Sequence, residues 1–155
     1  MSNSMLIRGL AALAACALVL PVTGSVKHSV ERPFNAAGIF TSDDSTFLVL
    51  GNATHLGKIV FAGDYSVVQF TPNEFGYSVT LHIQGAYTAA NGDTIEVDCP
   101  DWVTQYDADD SPVWSTGSVD IIGGTGRFEG ATGSYVGNIY SGATLTFTAE
   151  GTIAY

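Results

Sequence analysis

Every second side chain of Tyr77-Ser78-Val79-Thr80-Leu81-His82-Ile83-Gln84 is apolar or aromatic, and every side chain between them is polar. A repeat of two is the signature of an extended chain with one dry face and one wet face, because successive side chains of a strand point to opposite sides. The same alternation returns in Ile95, Val97 and Cys99, set against Thr94, Glu96 and Asp98. It returns again in Ala143, Leu145, Phe147 and Ala149, set against Thr144, Thr146, Thr148 and Glu150. From Phe34 onward no window carries the i, i+3, i+4, i+7 apolar spacing of a core-facing helix, so the pattern predicts an all-β fold.

Turn formers divide the alternating runs: Ser42-Asp43-Asp44, Gly51-Asn52, Gly63-Asp64, Pro72-Asn73-Glu74, Asn91-Gly92-Asp93, Gly123-Gly124-Thr125-Gly126 and Ser141-Gly142. Asn91-Gly92 between two such runs is the strongest hairpin signal of the chain. Strands are expected near 36–41, 46–51, 57–70 (bent at Gly63), 77–90, 93–99, 113–122, 132–140 and 143–154. Antiparallel strands of this number and length suit a sandwich or a barrel. Closure removes the sticky edges, so the expected fold is an eight-stranded antiparallel β-barrel with room for side chains or one small ligand.

Residues 1–24 stand apart. Arg8 precedes an uninterrupted apolar run from Leu10 to Leu20, Pro21 ends it, and Val22-Thr23-Gly24 places small residues before Ser25. This is the layout of a signal peptide, and the run is shorter than the roughly 20 residues of a membrane span. The expectation is one β-barrel domain over 25–155, secreted or periplasmic, with no membrane insertion after the signal is removed. Leu13-Ala14-Ala15-Cys16 also resembles a lipobox, which would anchor the chain through lipid on Cys16. The apolar run continuing past Cys16 favours plain secretion.

Loss of Arg8 leaves four basic against 15 acidic residues, a net charge of -11. Nucleic acid is excluded as an expected partner, since it requires clustered Lys and Arg, and an anionic membrane surface is disfavoured for the same reason. Loss of Cys16 leaves Cys99 without a disulfide partner, so the core alone must hold the fold. Cys99, between Asp98, Pro100 and Asp101, reads as a small buried residue rather than a reactive thiol.

The most specific stretch is Ile121-Ile122-Gly123-Gly124-Thr125-Gly126-Arg127-Phe128-Glu129-Gly130-Ala131-Thr132-Gly133. It is not a dinucleotide fingerprint: three residues rather than two separate Gly126 from Gly130, and a strand pattern comes next where a helix would be needed. It resembles the G-G-[ST]-G-x-F segment near the C-terminal end of plant dirigent proteins and allene oxide cyclases. It is similar still more closely to bacterial secreted proteins with the same barrel-like domain, and Asn91-Gly92-Asp93 sits where such proteins have a hairpin. The resemblance covers about 13 residues and implies an eight-stranded barrel with a central cavity and assembly as a homodimer or homotrimer. It carries over no chemistry, since the families' pocket residues lie outside the matched stretch. Physically, Gly123, Gly124, Gly126, Gly130 and Gly133 are expected to shape the loop, Phe128 to tuck its ring against one barrel end, and Arg127 to pair with an acid.

No G-x-S-x-G, H-E-x-x-H or paired C-x-x-C occurs, so no catalytic or metal motif is recognised and no cofactor is implied. His28 lies near the cleavage site, and His55 falls in a turn where it is expected to bond the backbone. His82 belongs to the polar face of its strand. With Asp64 and Glu96 it forms the set of acid–base candidates should that face line the cavity. Asp107-x-Asp109-x-Ser111 opens like a calcium loop, but Pro112 stands where a glycine should turn the chain and Ser118 where the bidentate glutamate belongs. The segment Asp98–Pro112 therefore reads as an acidic loop over the barrel mouth, with Trp102, Tyr106 and Trp114 forming its apolar underside. Asn52-Ala53-Thr54 is a glycosylation sequon, meaningful only in a eukaryotic secretory route.

The function expected from these features is binding of a small apolar or aromatic molecule inside the barrel, by Tyr77, Leu81, Val97, Trp102 and Phe147. The alternatives are a cyclase- or dirigent-like isomerase steering a reactive intermediate, and an interaction module with a packed interior. A cavity of at least about 300 Å³ separates the first two from the third. Buried His82, Asp64 or Glu96 within it separates the enzyme from the binder.

Overall fold

The alternating runs extend into eight strands, and the computed structural model describes residues 29–155. Residues 1–24, expected to be a signal peptide and including Cys16, and His28 lie outside the described residues. In chain order the strands are β1 (Glu31–Asp43), β2 (Thr46–Ala53), β3 (Gly57–Asn73), β4 (Gly76–Ala89), β5 (Thr94–Tyr106), β6 (Pro112–Gly124), β7 (Thr132–Tyr140) and β8 (Thr146–Ala154). Each pairs antiparallel with the next, and β1 closes on β8 from Glu31↔Ala154 to Ile39↔Thr146, giving a closed barrel. Among the described residues the one helical element is the short 3₁₀ turn Gly126–Phe128.

The antiparallel order gives the barrel two distinct ends. The β2–β3, β4–β5 and β6–β7 connections gather at one end, and the β1–β2, β3–β4, β5–β6 and β7–β8 connections gather at the other. The first end is sealed. Phe34, Ile95, Phe128 and Ile153 are fully buried there, and the Phe128 ring meets Tyr155 edge-on at 4.8 Å. Burying each such side chain contributes roughly 1.5–3 kcal/mol. Of the five glycines expected to shape the loop, Gly126, Gly130 and Gly133 have positive φ, while Gly123 and Gly124 are the last residues of β6; Arg127 Nε lies 3.2 Å from Asp93 Oδ2. Gly92 turns the β4–β5 hairpin at φ +88.

Some boundaries differ from expectation. β1 begins at Glu31 because the partner it needs, the end of β8, lies far away in sequence. β3 runs unbroken through Gly63. The largest correction concerns Asp98–Pro112: β5 continues to Tyr106, so Trp102 and Tyr106 are strand residues, and only 107–111 turn. Asp107 Oδ1 accepts the amides of Asp109 and Ser111, each at 2.9 Å. That carboxylate therefore organises the turn itself.

A bulge explains why β5 reaches so far. Leu81 pairs with Trp102 and Ile83 with Cys99, so His82 faces two residues, Pro100 and Asp101. An extra residue reverses the inside–outside phase of the rest of the strand. Ile95, Val97 and Cys99 point inward before the bulge, and Trp102 and Thr104 are buried after it.

Candidate functional site

Packing fills the sealed half of the barrel and stops short of the other end. Phe61 stacks on Tyr87 with ring centroids 4.0 Å apart, Phe34 meets Tyr87 edge-on at 5.5 Å, and Phe61 approaches Phe147 at 5.6 Å. The Tyr87 hydroxyl donates to that of Tyr135 at 2.8 Å. Burial pushes both phenols above the ordinary tyrosine range. Above this floor lies a cavity of about 440 Å³, a size typical of small-molecule sites.

The cavity wall is aromatic and aliphatic. Phe47, Phe61, Tyr135 and Phe147 form its lower part, Leu81, Ile83, Val79 and Trp102 its middle, and Tyr65, Tyr77, Tyr106 and Trp114 its upper part. Tyr77 and Tyr106 stack at 5.0 Å, while the Tyr65 hydroxyl is tied to the Asp44 carbonyl at 2.8 Å. None of the lining residues carries a charge.

Trp102 is positioned by a pair of glycines. Gly117 of β6 and Gly137 of β7 face each other in register, and a Cβ on either would lie 2.7 Å from the indole. Only glycine permits so close an approach. The indole Nε1 donates to Ser115 Oγ at 2.6 Å, and Ser115 Oγ lies 2.7 Å from Thr104 Oγ1. All three side chains are more than nine-tenths buried and line the cavity.

Of the residues expected to bind a ligand, Tyr77, Leu81, Trp102 and Phe147 line this cavity, and Val97 is packed in the core without lining it. Sequence reasoning missed Phe61, Tyr135, Thr104 and Ser115. Phe61 and Tyr135 lie in expected strands, but apolar neighbours on the opposite face, Val60 and Ala62 beside one and Val136 beside the other, leave the inward face unmarked. Thr104 falls within the segment expected to be a loop, and Ser115 is a polar residue on an inward face, which no hydropathy pattern marks.

The acid–base candidates lie elsewhere. His82 and Asp64 meet at a shallow groove of about 110 Å³ on the outer wall, beside Ser66 and Gln84, and Glu96 is exposed. His82 Nε2 lies 2.8 Å from Asp98 Oδ1, and Gln84 Nε2 donates to the same oxygen at 2.8 Å. These hydrogen bonds hold the Asp98 carboxyl below its ordinary range, the His82 bond first. His55 Nε2 contacts the Pro33 carbonyl at 2.8 Å, as expected for a turn residue. Cys99 is buried, and burial pushes its thiol up to about 11. Among the described residues no group of three or more His, Cys, Asp or Glu is placed to hold a metal ion.

Comparison with family models, with curated proteins and with solved structures finds no match to this chain.

Proposed function

We propose that this protein is a small extracytoplasmic β-barrel that holds a small apolar or aromatic molecule in its interior, related to the dirigent and allene oxide cyclase barrels. The single observation that carries the reading is the uncharged, aromatic-lined cavity of about 440 Å³. A packed interaction module would have filled that space, since interiors are otherwise close-packed. The steered-reaction alternative draws no support from the cavity wall, because His82, Asp64 and Glu96 lie outside it. Export is supported by the order of charged, apolar and small residues over 1–24, and kinship with the secreted barrels by the segment 121–133.

Equilibrium dialysis against 2-isopropenylnaphthalene, an uncharged aromatic hydrocarbon small enough for the cavity, tests the binding reading. The expected result is uptake of one equivalent per chain. No uptake at the solubility limit, either of this hydrocarbon or of its ketone counterpart 2-acetylnaphthalene, overturns it.

A further inference from the structure

The cavity wall carries the hydroxyls of Ser42, Ser141, Tyr65, Tyr77, Tyr106 and Tyr135, and at mid-depth one buried cluster of three touching polar side chains that can be counted hydrogen by hydrogen. Trp102, Thr104 and Ser115 bring one N–H and two O–H groups. They share two contacts: Trp102 Nε1 to Ser115 Oγ at 2.6 Å, and Thr104 Oγ1 to Ser115 Oγ at 2.7 Å. Neither hydroxyl has a further partner among the described residues.

The direction of the second contact is open, yet both directions leave the same remainder. If Thr104 donates to Ser115, the serine oxygen accepts twice and its own hydrogen is left over. If Ser115 donates to Thr104, the threonine hydrogen is left over. Either way one O–H faces the cavity, in a wall with no carboxylate to receive it. Water can accept that hydrogen while the cavity is empty. A pure hydrocarbon that expels the water strands it, and a stranded buried donor is costly. A cation finds no carboxylate on the wall to pair with, and it does not accept a hydrogen bond, so it leaves the same donor stranded.

We infer that the occupant is a neutral, largely apolar molecule bearing a carbonyl-type oxygen, which receives the spare hydrogen of the Thr104–Ser115 pair. This rests on the binding reading above and names the polar group that the ligand presents at mid-depth. Trp102 is a positioning residue: braced on Gly117 and Gly137, its indole saturates one lone pair of Ser115 and orients the hydroxyl.

The test compares 2-acetylnaphthalene with 2-isopropenylnaphthalene, which has the same shape with CH₂ in place of the carbonyl oxygen. Dissociation constants are measured by equilibrium dialysis for the native protein and for the double variant Ser115→Ala, Thr104→Val. The ratio of the two constants cancels the differing hydration of the compounds. The expected result is a ketone preference lower by about tenfold in the variant, with the alkene barely affected. Infrared spectra of the ketone bound to the native protein need no variant: its carbonyl stretch is expected below its position in hexane. A stretch at the hexane position overturns the inference and leaves the cavity reading standing, and so does an unchanged ratio once Trp102→Phe is added to the variant, which removes the indole N–H that Ser115→Ala leaves without its acceptor. Failure of both compounds to bind overturns the two together.

Discussion

Asp98 sits on the outer wall between two donors, His82 and Gln84, which hold its carboxyl below the ordinary range near about 4. A depressed carboxylate stabilises the fold fully above the unfolded-state value, and that contribution fades as pH falls through the folded-state value. The stability difference between the native protein and Asp98→Asn is therefore expected to shrink as pH falls below about 4. Urea midpoints between about pH 5 and 2 check it, and a difference that does not shrink over that range would contradict the assignment. Inside the barrel the relevant quantity is volume. Phe147 is buried against Phe61 and beside the cavity, so Phe147→Ala is expected to cost about 3–5 kcal/mol. Its neighbour Thr146 is exposed, and Thr146→Ala should be nearly silent. Equal urea midpoints for the two variants would mean that the inside–outside assignment of β8 is wrong.

At the level of elements, β4, the first half of β5 and most of β8 are legible in the sequence because their alternation is unbroken. The second half of β5 is not. Pro100 and Asp101 interrupt the pattern, and the bulge they form opposite His82 turns Trp102 inward when strict alternation from Cys99 would send it out. A clustering of Asp and Trp that looks like a loop is in fact a phase change within a strand. The start of β1 is hidden for a different reason, since its hydrogen-bonding partner is the far end of the chain. Candidate residues obey the same rule: Tyr77, Leu81 and Phe147 are visible by alternation, whereas Ser115 and Thr104 become inward-facing only through pairing across strands. The glycine bed of Trp102 gives an element-scale prediction. Gly137→Ala places a methyl 2.7 Å from the indole, so overpacking should cost about 1–3 kcal/mol. It should also loosen the Trp102–Ser115 bond, seen as a shift of tryptophan emission. Unchanged stability and emission would show that β7 gives way without moving the indole.

For the whole molecule, closure and cavity are two consequences of one sequence property. Eight strands make a ring wide enough to need filling, and the large inward residues, Phe34, Tyr87, Ile95, Phe128 and Ile153, are concentrated toward the sealed end. The other half of the ring is lined but not plugged, so apolar surface that could be buried is left for a guest. Filling that space from within should substitute for the guest. Leu81 lies on the wall at mid-depth, and Leu81→Trp adds side-chain volume where nothing else is packed. Its urea midpoint is expected to equal or exceed that of the native protein, because the added atoms gain contacts without displacing others. Binding should then vanish. At ligand tenfold above its dissociation constant, linkage stabilises the native protein by about 1.4 kcal/mol, which raises the melting temperature by roughly 5 °C in a domain of this size. The variant should show no such shift with 2-acetylnaphthalene. If it melts as the native protein does and still gains the full increment, the guest sits somewhere other than the ring's interior. If its midpoint falls sharply, the upper half of the barrel is already as tightly packed as the lower.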